Sequence, residues 1–278
     1  MRKFLTLTLA TLAIAATAPA AQASAPGAEG KYWHTKTVQV KNHSRQVGRG
    51  ANKYWVVERR LSEEWTLPNG QSWHGYRPMG AAPKTAADRA AWKRDGSPRK
   101  WSYRTEGMLV ELSMEPEKGR LFKPKGSAGW IMGYTRLTFE ELQAAPTEPE
   151  ALKSWLQKLY SAPGKPPLDM NTSLKGVYPD LMHRLPVPKG VREAAYKVLT
   201  TMPGVTVADA GKDRKKVTER SEDPKYKVRH TFTIDTRNMK LVATDLDTVY
   251  NGEQLHAKTW TMKIESGWTD TEPAIPTS

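Results

Sequence analysis

The chain has 278 residues and no cysteine, and 43 Lys and Arg against 29 Asp and Glu give it a formal net charge of +14 at pH 7. The lack of cysteine excludes disulfides, thiol catalysis and Cys-ligated metal. A chain of this length can bury a core without cross-links, and its positive charge favours acidic partners.

The first residues have the order of a secretory signal peptide. Two cations at positions 2 and 3 precede an apolar stretch from Phe4 to Ala16, and small residues follow as far as Ala23. The stretch is shorter than the roughly 20 apolar residues that span a bilayer. The sequence therefore predicts a signal peptide over 1–23, cleaved after Ala23, and a secreted or extracytoplasmic protein. Loss of two cations lowers the net charge to +12.

Residues 31–76 predict strands, because apolar and polar side chains alternate there and turn one face of each strand inward. Leu61 and Trp65, for example, fall on the same side of the segment. The next region, 77–129, is rich in Pro, Gly and Lys. We predict a short helix from Thr85 to Lys93 within it and loops elsewhere.

The segment 138–202 predicts helices, because its apolar residues recur every three or four positions. Thr138 and Thr147 are each followed three residues later by a glutamate, which is the spacing of a capping box. A further helix is predicted to begin near Pro188 and to end at Pro203.

Residues 205–268 return to alternation, with Val228, His230, Phe232 and Ile234 on one face of a strand. We therefore predict an α+β fold in a single domain over 24–278. Its core is a curved antiparallel β-sheet, half-barrel-like, built from both ends of the chain. The apolar stripes of the helices need one face of this sheet to bury them.

Four segments also resemble a known family: 32–35 (YWHT), 85–92 (TAADRAAW), 137–156 (LTFEELQAAPTEPEALKSWL) and 191–199 (VREAAYKVL). This family comprises uncharacterised actinobacterial exported or membrane-tethered proteins, often encoded beside genes for extracytoplasmic-function sigma factors. The resemblance spans most of the mature chain, but its motifs are structural and imply no particular chemistry. The predicted fold is similar, more distantly, to the half-barrel of bacterial lipoprotein carriers and periplasmic sigma-regulator proteins.

Motifs for catalysis and cofactor binding are missing from the sequence. It contains no Gly-x-Ser-x-Gly elbow, no phosphate-binding Gly-rich loop and no dinucleotide-binding glycine pattern. The six histidines form no His-x-His or His-x-x-x-His pair. We accordingly predict no catalytic residues, no metal and no cofactor.

Tryptophan is the most informative residue type, with ten Trp against four Phe. Most are expected in the core, but strand tryptophans can also line an open apolar recess. The candidate ligand contacts are Trp260, Met262 and Trp268. A second candidate, for contact with an anionic surface, is the aromatic and basic cluster of Trp92, Lys93, Arg94, Arg99, Lys100 and Trp101.

Three functions remain open from the sequence. The first is a non-enzymatic binding or sensing protein for an apolar or anionic envelope ligand, such as lipid or an anionic wall polymer. The second is an accessory protein that binds a membrane protein in an envelope-stress or sigma-factor system. The third is a secreted hydrolase. For each of these functions a monomer is expected. No specific nucleic-acid partner is expected.

Overall fold

The computed structural model describes residues 28–105, 108–124, 129–161, 174–255 and 258–277. The predicted signal peptide lies outside these ranges. Within them, no helix is long and apolar enough to cross a membrane.

Strands dominate the described residues. In chain order they are β1 (Tyr32–Asn42), β2 (Val56–Thr66), β3 (Ser72–Pro83), β4 (Lys100–Thr105), β5 (Met108–Ser113), β6 (Arg120–Phe122), β7 (Trp130–Met132), β8 (Thr135–Leu137), β9 (Val205–Asp209), β10 (Arg214–Glu222), β11 (Tyr226–Asp235), β12 (Lys240–Tyr250), β13 (Glu253–Gln254) and β14 (Trp260–Thr269). The helices are α1 (Ala86–Arg94), α2 (Phe139–Gln143), α3 (Pro149–Leu159), α4 (Val177–His183) and α5 (Lys189–Thr201), with a 3-10 turn at Leu174–Gly176 before α4.

Nine of the described strands form one open antiparallel sheet in the order β6-β3-β2-β1-β14-β12-β11-β10-β9, and β13 pairs with β12. Strand β14 pairs with β1, so the two ends of the chain meet in the middle of the sheet. The predicted α+β fold with an antiparallel sheet is therefore confirmed. The pairs β4–β5 and β7–β8 are separate hairpins.

The helices α2 to α5 cover one face of the sheet, called here the helical face. The indole N–H of Trp33 in β1 donates to the carbonyl of His183 at 3.2 Å, which identifies the side of β1 that faces the helices. Helix α4 packs over β12 and β14, and α5 packs against α3, α4 and β9. The main core lies between these layers and includes the fully buried Leu152, Leu181 and Phe232.

A second, smaller core lies on the same face at the far ends of β2 and β3. Here α1 and the β4–β5 hairpin pack on Val56 and Ala81 around the fully buried Tyr54. The Tyr54 hydroxyl accepts from the Trp101 indole N–H at 2.9 Å and donates to Asp95 at 3.1 Å.

The opposite face of the sheet, called here the open face, carries no helix among the described residues. Over β1 to β3 it is covered by the extended C-terminal segment, residues 270–277, whose Pro276 is buried. Over β10, β11, β12 and β14 most of its side chains are polar or charged, for example Arg229, Asp245 and Lys263.

Two local predictions need correction. The region 77–129, predicted as loops around one helix, also contains β4, β5 and β6, and this helix runs over Ala86–Arg94. Strands β4 and β5 show no clear alternation of apolar and polar residues, because their hairpin buries only Trp101 and Leu112 in the small core. The capping box at Thr138 is present, whereas α3 begins at Pro149 with Glu148 as its N-cap and without a side-chain cap.

Candidate functional site

The predicted ligand contacts on β14 do not share one recess. Trp268 packs edge-on against Trp33 and Phe139, with ring centroids 5.6 Å apart in each pair, and Met262 packs against the main core. Trp260 lies further along the strand, half-buried, with its ring 5.9 Å from His230. The expected apolar recess is therefore absent at these three residues, because the helices fill the space over Met262 and Trp268.

The helices and the small core leave a recess of about 280 Å³ uncovered on the helical face. It is lined by side chains such as Thr37, Ser62, Glu64, His74 and Tyr76. The rings of His74 and Phe122, which also line this recess, are stacked with their centroids 5.4 Å apart.

The recess also bears on the hydrolase alternative. Ser72 Oγ lies 3.1 Å from His74 Nε2, and Glu64 Oε1 lies 3.9 Å from the same nitrogen. In a serine triad the acid holds one ring nitrogen while the serine contacts the other. With both groups at Nε2, this trio does not form a proton relay.

The predicted anionic-surface cluster is only partly at the surface. Trp101 is 7% exposed within the small core, and the Trp92 indole donates to the Pro98 carbonyl at 2.9 Å. The prediction of surface contact is wrong for the Trp101 ring, because its N–H is needed by buried Tyr54. The cations Lys93, Arg94, Arg99 and Lys100 are exposed, and Arg99 pairs with Glu115. A role for these cations in binding stays a prediction.

The open face holds a better candidate, a groove of about 510 Å³ across β10, β11, β12 and β14. We call it the charged groove. Its lining includes Lys216, Thr218, Arg220, Arg229, Thr231, Asp245, Asp247 and Trp260. The Trp260 side chain, predicted as a ligand contact, instead points to the helical face, where its ring contacts His230.

Strand register brings the cations of the charged groove together. Arg220 of β10 stands directly opposite Arg229 of β11, and Lys216 lies on the same side of β10 as Arg220. Like charges placed opposite each other across two strands are unfavourable by themselves. Arg229 is partly neutralised by Asp247, 2.8 Å away. Among the described residues, neither Lys216 nor Arg220 has a side-chain hydrogen bond or ion pair.

Hydroxyl groups and a carboxylate line the middle of the charged groove. The Thr218 and Thr231 hydroxyls are 3.3 Å apart, and Thr231 stands opposite Asp245 of β12. Asp245 is half-buried, and the next strand places Thr261 opposite it. The groove therefore offers cations on one side and hydrogen-bond acceptors on the other.

Sequence reasoning missed this groove because its residues come from separate strands. The cations at positions 216 and 220 alternate with Thr218, and positions 229 and 231 repeat the pattern. That alternation shows that each set shares a strand face, but only the register shows that the two sets are opposite each other. Within the described ranges no three His, Asp or Glu side chains converge as metal ligands.

Comparison with known proteins adds no family: no family model matches the chain, and no curated protein matches it. The family resemblance drawn from the four sequence segments stays an expectation. We therefore infer function from the geometry of the grooves.

Proposed function

We propose that this protein is an extracytoplasmic binding protein whose ligand is an anionic polysaccharide of the cell envelope, held in the charged groove. One observation carries the proposal: on the open face Arg220 stands opposite Arg229, and Lys216 lies on the same side of β10. Neither Lys216 nor Arg220 has a side-chain partner among the described residues, and hydroxyls and a carboxylate line the groove between the strands. Phosphate or carboxylate groups of the ligand would neutralise the repulsion between these cations.

The acidic side of the groove narrows the class of ligand. A simple polyanion is repelled by Asp245 and Asp247, whereas sugar hydroxyls can donate hydrogen bonds to these carboxylates. A polymer with both anionic groups and free hydroxyls fits the cations and the acidic side of the groove, and a lipid acyl chain fits neither of them.

The test compares two polymers with the same backbone, dextran and carboxymethyl dextran, by calorimetry or fluorescence anisotropy. We expect the wild-type protein to bind the carboxymethyl form and to bind neutral dextran far more weakly. Binding should weaken with salt, because screening at physiological ionic strength acts over about 8 Å. Equal binding of both polymers would contradict the proposal, and so would tighter binding to anionic lipid vesicles than to the polymer.

Variants of the groove supply the matched controls. Lys216→Ala with Arg220→Ala removes two exposed cations, each worth about 1 kcal/mol, so affinity should fall by about 10- to 30-fold. Lys158→Ala with Lys197→Ala removes the same charge from exposed positions on α3 and α5 and should change affinity little. If both double variants lose affinity equally, net charge alone explains binding.

Asp245→Asn separates a hydroxylated ligand from a simple polyanion. The substitution removes a negative charge, so binding of inorganic polyphosphate should become tighter. Binding of carboxymethyl dextran should instead weaken, because an amide is a poorer acceptor for sugar hydroxyls than a carboxylate. A parallel change for both probes would contradict the assigned role of Asp245.

A further inference from the structure

The C-terminal segment lies on the open face in the way that a bound peptide would. It follows β14 directly and runs extended, outside any strand, across β1, β3 and the loop before β6. The surface under it, called here the tail groove, is formed by Tyr32, Trp65, Trp73, Gly75, Arg77 and Gly119.

Two glycines shape the tail groove around its occupant. A Cβ atom on Gly75 would lie 2.6 Å from Cγ of Pro276, and one on Gly119 would lie 2.7 Å from Cγ2 of Ile275. Such distances are too short for real contacts, so any side chain at either position would displace the segment. The absence of a side chain thus makes room for an extended Ile-Pro pair.

Both ends of the segment are held by polar groups. Glu272 accepts from the Tyr32 hydroxyl at 2.6 Å and from the Lys31 ammonium, and these hydrogen bonds hold the pKa of Glu272 below its usual range. At the other end the Arg77 guanidinium donates to the Thr277 carbonyl. A peptide that makes the same contacts in the tail groove needs an acidic residue four positions before a proline.

The floor of the tail groove is aromatic. Tyr32 and Trp73 meet edge-on with centroids 5.7 Å apart, and Trp65 is 3% exposed beneath Pro276. Aromatic grooves of this kind recognise proline-containing extended peptides, because such peptides lose little conformational entropy on binding. The indole N–H of Trp65 is buried and finds no acceptor among the described residues.

Only a few contacts bind the chain's own C-terminal segment in the tail groove. Pro276 is buried, whereas Glu272 and Thr277 are exposed and Ile275 is 46% exposed. A peptide that reproduces these few contacts competes for the same floor, and one that also brings a carbonyl to Trp65 would satisfy a donor that the chain's own segment leaves unpaired. The tail groove shares no residue with the charged groove.

We propose that the tail groove is a docking site for an extended Glu-Pro-x-Ile-Pro-like peptide of a partner protein, and that the C-terminal segment is its intramolecular competitor. Because this segment is attached to β14, its effective concentration at the groove is on the order of millimolar. Docking of a partner is therefore suppressed until the segment is displaced.

The test uses the full chain and a fluorescent peptide of residues 270–277, DTEPAIPT. Pro276→Asp in the protein puts a charge where the buried ring was and should release the segment. We expect this variant to bind the peptide saturably, at least about 10-fold more tightly than the wild type. A peptide carrying the same Pro276→Asp change should not bind, and Gly75→Val added to the variant should abolish binding.

Binding that is equally tight in the wild type and in the folded variant would overturn the proposal, and so would no binding to the variant at millimolar peptide. Dimerisation of the wild type through exchanged segments, seen by light scattering, would assign the groove to a second copy and would also overturn it.

A second measurement does not depend on the folding of that variant. The chain lacks cysteine, so Thr277→Cys gives a unique site for a dye that tryptophan quenches. Excess DTEPAIPT peptide should displace the labelled segment from Trp65 and Trp73 and raise the fluorescence. A scrambled peptide should leave it unchanged. Unchanged fluorescence with the DTEPAIPT peptide would overturn the proposal.

Discussion

Protonation of His230 should make the fold sensitive to acid. This histidine lies on the helical face of β11, with its ring 4.1 Å from that of Phe232 and its Nε2 2.7 Å from the Thr244 hydroxyl. Burial lowers its pKa from 6.5 to about 4. Glu219 stands opposite it on β10, but its carboxylate is engaged by Lys175 at 3.3 Å.

The sign and size of this change in stability follow from the linkage between proton binding and folding. Because folding lowers this pKa, the neutral ring contributes its full share of stability above pH 6.5. That stability is lost as the pH falls towards 4, because His230 is protonated in the unfolded chain in this range but stays mostly neutral in the folded chain. A shift of this size corresponds to a loss of up to about 3 kcal/mol. For a domain of this length the melting temperature should fall by about 6 to 12 °C.

The assay is urea denaturation followed by circular dichroism between pH 7 and pH 4, for the wild type and His230→Gln. Burial also lowers the pKa of His43 and His183, but their contribution is common to both proteins and cancels in the difference. We expect the stability gap between the two proteins to shift by up to about 3 kcal/mol in favour of the variant as the pH falls. His74→Gln is the matched control at a half-exposed position. An identical pH dependence of the wild type and His230→Gln would refute the reasoning.

Two further predictions concern the two cores. Tyr54→Phe leaves the buried Trp101 N–H without an acceptor and removes one hydrogen-bond donor to Asp95. The free energy of unfolding, measured by thermal or urea denaturation, should therefore fall by about 2 to 4 kcal/mol. An equally large loss for the exposed Tyr134→Phe would contradict the hydrogen-bond explanation. Leu181→Ala removes a fully buried side chain from α4 and should cost about 2 to 5 kcal/mol in the same assay. A loss below about 1 kcal/mol would mean that the helical layer is not well packed there.

The sequence predicted the larger elements well where one face is strongly apolar. Helix α5 buries residues at regular spacing, and the sequence of β11 alternates apolar with polar residues, so both periods can be recognised in the sequence. The short hairpin strands β4 and β5 were missed because few of their side chains are buried. Similarly, the alternation over 31–76 indicated strands but not that Trp65 is covered by the chain's own end.

Composition and periodicity by themselves determined the absence of thiol chemistry, the positive charge and the α+β class, because these depend only on which residues are present and on their local spacing. Tertiary structure alone decided the grooves. The pairing of β1 with β14 brings distant residues into one sheet, the register sets Arg220 opposite Arg229, and Gly75 accommodates Pro276. Each of these contacts joins segments far apart in the chain, and no local pattern specifies which strands become neighbours.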